Sequence, residues 1–555
     1  MTSVYWRSLQ DLSKINVTDV HPAKKPTMAT KPCEEITQMV CSLSDLQDGQ
    51  MKEVEVGGNK ILLVRNNGAF TAVGGLCTHY GAPLIKGTLI GDRVRCPFHG
   101  ACFNTKTGDI EEFPGLDCLP KFKVKVESGK VYVTSHEKNL KKRVKSMSRR
   151  VPGVNHTIVL IGPASLQCAE TLRQNDYEGR IIMVTKDEQL PLDKTKLSKA
   201  MNVEVEKVLL RQLDFLQLHG IEVWTKKEVK SVNTEAKTVT FTDGTIQMYD
   251  QLLISTGGRA RPLQCPGADL ENVKFLENYK DAADIHQKSA GSRVVIVGTS
   301  FIGMEVAAYL SDKAASVTVI GTSCFPFQSS LGLEIGKMTK QMLEEKNVKF
   351  YSSNGVAEIC GENGKVKEVV LKNGEVLPAD VVIVGIGVIP NSDFLKETLV
   401  EIDSRSAVVV DEFMKTNIAD IFAAGDVVSF PLALVGHKSV NIGHWQLAQA
   451  HGRIAGLNMM NQQVAINTVP FFWTMMLGKS IRYTGYGEGY TEIVFKGSTE
   501  ERKFLAFYIK DEEVVAAASM NFDPAVARLA EMLLMGKKIT KAQAQSDDLS
   551  WLQIP

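Results

Sequence analysis

Twice along the chain an apolar strand runs into a glycine-bearing turn, a helix and a second apolar strand. TIVLIG, ASLQCAETLRQ and RIIMVT do so over 157–185, and RVVIVG, SFIGMEVAAYLSDK and ASVTVI over 293–320. Parallel strands joined by a crossover helix need cover on both faces, so each unit demands an α/β domain of nucleotide-binding size. The 555 residues leave room for both and for further domains, because one core does not grow to that length. Lys plus Arg number 64 against 63 for Asp plus Glu, so bulk charge gives no reason to expect nucleic acid or an anionic membrane as a partner. No stretch of about 18 uncharged apolar residues occurs, so no membrane span is expected. Ten cysteines are too sparse for a disulfide scaffold, and no signal peptide opens the chain, which predicts an intracellular protein of mitochondrion or cytoplasm.

The two turns are unequal. Gly298-Thr299-Ser300-Phe301-Ile302-Gly303 has the length of a Gly-x-Gly-x-x-Gly pyrophosphate turn, with Ser300 in place of the middle glycine. The strand that follows ends at Ile320-Gly321 with neither an acid for a ribose hydroxyl nor a nearby base for a 2′-phosphate, so the nucleotide is written NAD(P)H. The first turn holds a single glycine, Gly162, and reads two residues short, although Asp187 stands where an adenosine ribose would meet an acid.

Ahead of these units, short runs such as VEV at 54–56, ILLV at 61–64, FKVKV at 122–126 and KVYV at 130–133 predict a small antiparallel β domain ending near His136. It carries Cys77-Thr78-His79 and, sixteen residues later, Cys96-Pro97-Phe98-His99. Two thiolates and two imidazoles match a [2Fe–2S] cluster with two histidines on one iron, and the same four groups would also suit tetrahedral zinc. Residues 137–151 crowd seven Lys and Arg without interleaved aromatics and read as a flexible, solvated tether. The Pro-containing start reads as a disordered tail. Aromatic-rich strands and a helix near 524–537 form a last small domain.

The text around the Cys/His pairs, GGLCTHYGAPL and RCPFHGACFNTKTGDI, resembles the two loops of Rieske domains. Ala82 and Phe98 stand where respiratory Rieske proteins carry an extra disulfide, so the resemblance is to Rieske-type ferredoxins, and Cys102 and Cys118 are read as packing residues. ISTGG at 254–258, VGIGVIPN at 384–391 and IFAAGD at 421–426 occur in the order seen in two-dinucleotide flavoprotein reductases, together with LSK at 197–199, His444-Trp445 and PFFW at 470–473. The whole arrangement resembles the Rieske-containing apoptosis-inducing-factor-like proteins.

That resemblance implies a multidomain fold: an all-β Rieske domain, an α/β reductase with two dinucleotide domains, and a C-terminal α+β domain. The expected limits are a tail at 1–37, the Rieske domain at 38–136, a linker at 137–154, an FAD domain at 155–287 and 408–464, an NAD(P) domain at 288–407 and the C-terminal domain at 465–555. Cys77, His79, Cys96 and His99 would ligate the cluster. Gly162, Asp187, Lys194, Gly257, Gly425 and Asp426 would bind FAD, Gly298 and Gly303 NAD(P)H, and Lys199 and Trp445 would lie beside the flavin. Pro191-Leu192-Asp193-Lys194 departs from the family's Pro-Tyr-Asp-Arg or Pro-Tyr-Asp-Lys. The expected activity is NAD(P)H oxidation through FAD to the cluster and on to an unidentified electron acceptor. The alternative is a redox-sensing or pro-apoptotic signalling protein with a degraded flavin site.

Overall fold

The computed structural model describes residues 35–136 and 140–553. The first domain is a six-stranded antiparallel sheet in the order Glu35–Ser42, Lys130–His136, Lys121–Glu127, Ala69–Gly74, Asn59–Asn66, Gln50–Val56. A four-stranded sheet, Thr88–Ile90, Arg93–Arg95, Cys102–Asn104, Ile110–Glu112, is inserted between Ala69–Gly74 and Lys121–Glu127. The unbroken ILLV run follows from this layering. Ile61 and Leu63 face one core with Val131 and Val133, while Leu62 and Val64 face a second with Leu84, Cys77 and Cys96. The opening strand pairs Glu35 with His136, so the domain begins before residue 38. The predicted tail otherwise lies outside the described residues.

Two parallel five-stranded sheets follow. The first runs Ile221–Trp224, Arg180–Val184, Thr157–Ile161, Gln251–Ile254, Ile421–Ala423, and the second Val273–Lys274, Val381–Val384, Arg293–Val297, Ser316–Ile320, Lys349–Tyr351. Chain from 421 onward therefore completes a sheet begun at 157. The crossovers differ from the expected boundaries. Val273–Lys274 already pairs in the second sheet, and Ala282 and Ile285 of the helix Tyr279–Ser289 sit in its core, so this sheet's territory starts before 288. On the return, Leu395 and Val400 pack in the first core, before 408. A two-residue strand and a lone amphipathic helix carry no sign of which sheet they will cover. The C-terminal sheet, Phe471–Met476, Lys479–Gly485, Glu513–Met520, Lys503–Lys510, Glu492–Ser498, is antiparallel and carries the helix Ala525–Leu534.

The basic segment is a strap and not a loose tether. Arg143 exchanges both backbone hydrogen bonds with Cys118 at 2.8 Å, and its guanidinium pairs with Asp109. Lys142 meets Asp117 at 2.8 Å, Ser148 N–H donates to Arg173 O, and Val151 N–H to Glu178 O. Carboxylates on the β domain and backbone carbonyls on the first α/β domain supply these partners, and neither is visible in the segment's own composition.

The two nucleotide turns are built alike despite their sequences. Gly162 N–H donates to Val184 O and Ser255 N–H to Ile161 O, as Gly298 N–H does to Ile320 O and Gly385 N–H to Val297 O, all at 2.8 Å. Gly162 has φ +104° and Gly298 φ +117°; a Cβ would lie 2.1 Å from Ser255 O and 2.2 Å from Gly385 O, respectively. Ser300 needs no glycine, for its backbone is extended and its hydroxyl donates to Gly385 O at 3.2 Å. In the shorter turn Ser165 Oγ donates to Gly162 O at 2.6 Å before the helix Leu166–Gln174. A Gly162→Ala variant combines a nearly glycine-only backbone conformation with a clash against a fixed carbonyl, and is expected to lose about 3 kcal/mol or more of stability and its flavin. Chemical denaturation and flavin content after desalting measure both, and a stable, yellow variant would refute this account of the turn.

Candidate functional site

Two loops of the β domain repeat one backbone design. Cys77 N–H donates to Ala82 O and Gly81 N–H to Cys77 O, both at 2.8 Å; Cys96 N–H donates to Ala101 O at 2.8 Å and Gly100 N–H to Cys96 O at 3.2 Å. Gly81 and Gly100 close the loops at φ +75° and +84°. The design turns each cysteine inward and brings the imidazoles of His79 and His99 to 4.9 Å between ring centroids.

The four groups carry the protonation that ligation needs. Burial lowers the His79 imidazole to about 4 and His99 to about 2, so both are neutral at physiological pH. Both His79 nitrogens are buried without a hydrogen-bond partner. A hydrogen bond between the thiols, with the Phe98 and His99 amides on Cys96, pulls the Cys96 thiol down and pushes Cys77 up. The thiols form one pair and the imidazoles another. A cluster of two irons asks only two protein ligands of each and suits a thiol pair beside an imidazole pair. Cys102 and Cys118 are buried free thiols.

Most of the residues expected to bind FAD follow the carboxyl ends of strands in the first sheet. Asp426 opens the short turn after Ile421–Ala423, its carboxyl pushed up by burial, with Lys194 pulling the other way and the His444 N–H donating to it. Lys194 Nζ donates to Glu277 O at 3.0 Å, and Gly257, at φ +63°, has open space where a Cβ would stand. Gly425 N–H donates to His451 Nδ1 at 3.3 Å. Asp187 follows the strand Arg180–Val184, its N–H on Thr185 Oγ1. The donor and acceptor set, with open space at Gly257, fits a dinucleotide.

Lys199 is paired at 2.7 Å with Glu305 on the helix Phe301–Leu310, which follows the Gly298 turn. Glu305 also accepts from Ser198 Oγ and, at 2.8 Å, from Thr474 Oγ1 of the C-terminal sheet. One buried carboxylate thus ties three domains together around the flavin lysine. Gly303 is the close-packing glycine of that helix, where a Cβ would lie 2.2 Å from Gly298 O.

Residues 155–452 match the pyridine nucleotide-disulphide oxidoreductase model, 36–123 the Rieske [2Fe-2S] domain and 471–552 the reductase C-terminal domain. The chain belongs to the pyridine nucleotide-disulphide oxidoreductase family. Over 548 residues it is 45% identical to apoptosis-inducing factor 3 of Homo sapiens, covering 96% of this chain and 90% of that protein. Rhodocoxin reductase of Rhodococcus erythropolis is 29% identical over 402 residues, 71% of this chain and 92% of its own. Among solved structures it is similar to the ferredoxin reductase for the CYP199A2 system from Rhodopseudomonas palustris, with TM-score 0.68, 27% identity, and 72% and 99% of the two chains covered. The covalent putidaredoxin reductase–putidaredoxin complex follows with TM-score 0.67, 26% identity, and 71% and 97% covered. The protein is therefore an NAD(P)H oxidoreductase of ferredoxin-reductase type with a fused Rieske domain, and its cofactors are a [2Fe–2S] cluster, FAD and NAD(P)H. None of the described helices is long and apolar enough to cross a membrane.

The Rieske domain is seated on the reductase by buried polar contacts. Arg95, fully buried, reaches Glu531 of the C-terminal helix at 2.6 Å, Glu112 at 2.9 Å and Gly100 O at 2.9 Å. Arg93 adds a 3.1 Å contact to Glu531. Gly100 lies under Phe471, so close that a Cβ would stand 2.5 Å from the ring. Gln449 on the helix Trp445–Met459 accepts from Gly115 N–H and donates to Gly115 O, and Arg211 joins Asp117 to Glu170 at 2.8 and 2.7 Å. This seating sets His99 4.4 Å from the ring of Trp473, which lies 5.3 Å from His444, the residue that caps the Trp445 helix. The aromatic row runs through Trp473; Trp445 opens its helix half-buried and is not in it.

Trp473, His444, Arg95 and Glu531 were absent from the sequence-derived set. Trp473 and His444 had local signals, in the runs PFFW and His444-Trp445, whereas Arg95 and Glu531 are 436 residues apart and look like ordinary surface charges. Burial pushes the Glu531 carboxyl up, but Arg95 and Arg93 hold it below the ordinary 4.5. A depressed folded value stabilises above pH 4.5, and that contribution is lost as the pH falls below it. Glu531→Ala leaves the buried Arg95 with Glu112 as its remaining carboxylate and is expected to cost about 3 kcal/mol. Urea denaturation, with protease cleavage in the strap as a second readout, checks this; wild-type behaviour in both would show the pair to be idle.

Proposed function

We propose that this chain is a self-contained electron-transfer enzyme, in which the reductase domains serve the Rieske domain of the same polypeptide. The observation that carries the reading is the row His99, Trp473, His444, which leads from the cluster loops to the flavin residues across a seated interface. Cys77 and Cys96 are assigned as thiolate ligands and His79 and His99 as imidazole ligands. Asp426, Lys194, Asp187, Gly162, Gly257 and Gly425 are assigned to FAD, Gly298 and Gly303 to the nicotinamide nucleotide. When bound, the flavin supplies the conversion of a two-electron hydride donor into single electrons, the only kind a [2Fe–2S] centre takes.

The protein's own groups do the positioning. The backbone amides at the start of the Phe301–Leu310 helix would hold the pyrophosphate of the nucleotide. Glu305 pairs with the Lys199 side chain and fixes its place where the flavin would lie. The rings of His99, Trp473 and His444 stand in contact as a row between the two sites. The putidaredoxin reductase that this chain resembles was solved joined covalently to a separate putidaredoxin. Here the iron–sulfur module is built into the chain and held by Arg95, Gln449 and Arg211, so the reductase has a resident acceptor at fixed distance. Against the reading as a sensor with a degraded flavin site stands the backbone bonding of Gly162, which matches that of Gly298.

The decisive experiment follows NADH-driven bleaching of the flavin and Rieske absorbance by stopped flow. Cys96→Ser is expected to remove the cluster signal and leave NADH-dependent dye reduction near the wild-type rate; loss of both would contradict separate centres. Trp473→Leu is expected to leave flavin reduction intact and slow cluster reduction by about tenfold or more. Unchanged cluster reduction in that variant would remove Trp473 from the route.

A further inference from the structure

One cation of the reductase reaches the cluster loops from outside the Rieske domain. Arg482 lies on the strand Lys479–Gly485 of the C-terminal sheet and is only 8% exposed. Its Nε donates to Phe98 O at 3.3 Å, and its guanidinium stands 5.0 Å from the centroid of the Phe98 ring. Phe98 belongs to the loop that carries Cys96 and His99, so the backbone and the ring of that loop both receive a charge from another domain.

The charge is answered away from the loop. Arg482 Nη1 pairs with Asp523 at 2.9 Å, and Asp523, between the strand Glu513–Met520 and the helix Ala525–Leu534, is the more exposed of the two. The carboxylate engages a terminal nitrogen of the fork, while Nε faces the cluster loop. A guanidinium stays protonated in such a setting. After the hydrogen bond from Cys77, Arg482 helps to lower the Cys96 thiol, and after burial it helps to lower the His99 imidazole. Both shifts favour the ligating forms. Lys86 of the Rieske domain also acts on Asp523, and Lys199, itself paired with Glu305, also acts on His99.

Two ferric irons, two sulfides, two thiolates and two neutral imidazoles carry no net charge, and an arriving electron makes the group negative by one. A fixed cation beside one of the thiolate loops favours the reduced state over the oxidised one. We propose that Arg482 sets the reduction potential of the Rieske cluster: the C-terminal domain of the reductase raises the potential of its own acceptor and so adds driving force to transfer from the flavin. This rests on the reading of Cys77, His79, Cys96 and His99 as ligands of a cluster that the flavin feeds. The step moves one electron from the flavin to the cluster; no bond forms or breaks at the iron–sulfur centre, and Arg482 keeps its proton. Because the cation belongs to the reductase, the potential depends on the seated pose of the Rieske domain.

The test is a potentiometric titration of the holoprotein with mediator dyes and dithionite. It reads the cluster by electron paramagnetic resonance and the flavin by absorbance, without the NADH route. Arg482→Met keeps the length of the side chain and removes its charge; it is expected to lower the one-electron equilibrium of the cluster about tenfold, a downward shift of about 59 mV. Arg482→Lys keeps the cation and should stay close to the wild type. Asp523→Asn removes the counter-charge and leaves the guanidinium bare, so the potential should rise. Opposite signs in these two neutralising variants mark a charge effect, since loosened packing would move both the same way. The flavin potential should stay where it is in all three. An unchanged cluster potential in Arg482→Met, no rise in Asp523→Asn, or equal shifts of cluster and flavin overturns the proposal. If Arg482→Met loads no cluster, the sign in Asp523→Asn decides alone. If NADH fails to reduce the cluster in the wild type while the potentials move as stated, the role of Arg482 stands and the flavin-fed reading falls.

Discussion

Arg95 has no water to fall back on. A guanidinium with no exposed surface must be answered inside the protein, and it is answered by Glu531 from a helix more than four hundred residues away, by Glu112 of its own domain and by the carbonyl of Gly100. Desolvating such charges is expensive, and a buried pair of this kind is weak evidence for stability as such. What it supplies is registry. An apolar patch would let the small β domain slide or tilt on the reductase, whereas a guanidinium that serves both the partner helix and the cluster loop is satisfied in one pose. That pose is the one in which His99 meets Trp473 and Gly100 meets Phe471, so the spacing of the two redox sites depends on it.

The same logic explains the strap. Read by composition, 137–151 is a polybasic spacer, and a spacer would leave the Rieske domain to search for its seat. In the structure Arg143, Lys142 and Lys145 lie along Asp109 and Asp117, and Asp117 is shared with Arg211 of the reductase. The positive charges are therefore not a binding patch for something else; they are matched to carboxylates that belong to the same interface. Exposed pairs of this sort contribute little individually. Laid end to end between two domains already fixed by buried contacts, they remove the remaining freedom of the connecting segment.

How much of this was legible in the amino-acid order follows from range. The loops with Cys77, His79, Cys96 and His99 were legible because ligand chemistry needs particular residues at short spacings, and each loop's backbone bonds close within five residues. The Gly298 turn was legible for the same reason. The Gly162 turn looked deficient because a motif counts glycines, whereas the structure needs one only where a neighbouring carbonyl leaves no room for Cβ; at Ser300 the backbone is extended and a hydroxyl is accommodated. Domain limits were off where a two-residue strand, Val273–Lys274, crosses to the second sheet ahead of any periodic signal. The interface residues were illegible in principle: nothing near Glu531 says that its partners lie at 93 and 95.

These observations bear on why a reductase and its iron–sulfur module would share one chain. A diffusing carrier uses one edge for both reactions, collecting at the reductase and delivering elsewhere, and must leave in between. A seated domain would have to break the Arg95–Glu531, Gln449–Gly115 and Arg211–Asp117 contacts together to do that. In this protein the two imidazoles share one setting, for Trp473 stands 4.4 Å from His99 and 5.7 Å from His79, and Tyr80 5.4 and 3.7 Å from them, so the contact between the iron–sulfur module and the reductase is built once, in the fold, and not remade at each turnover.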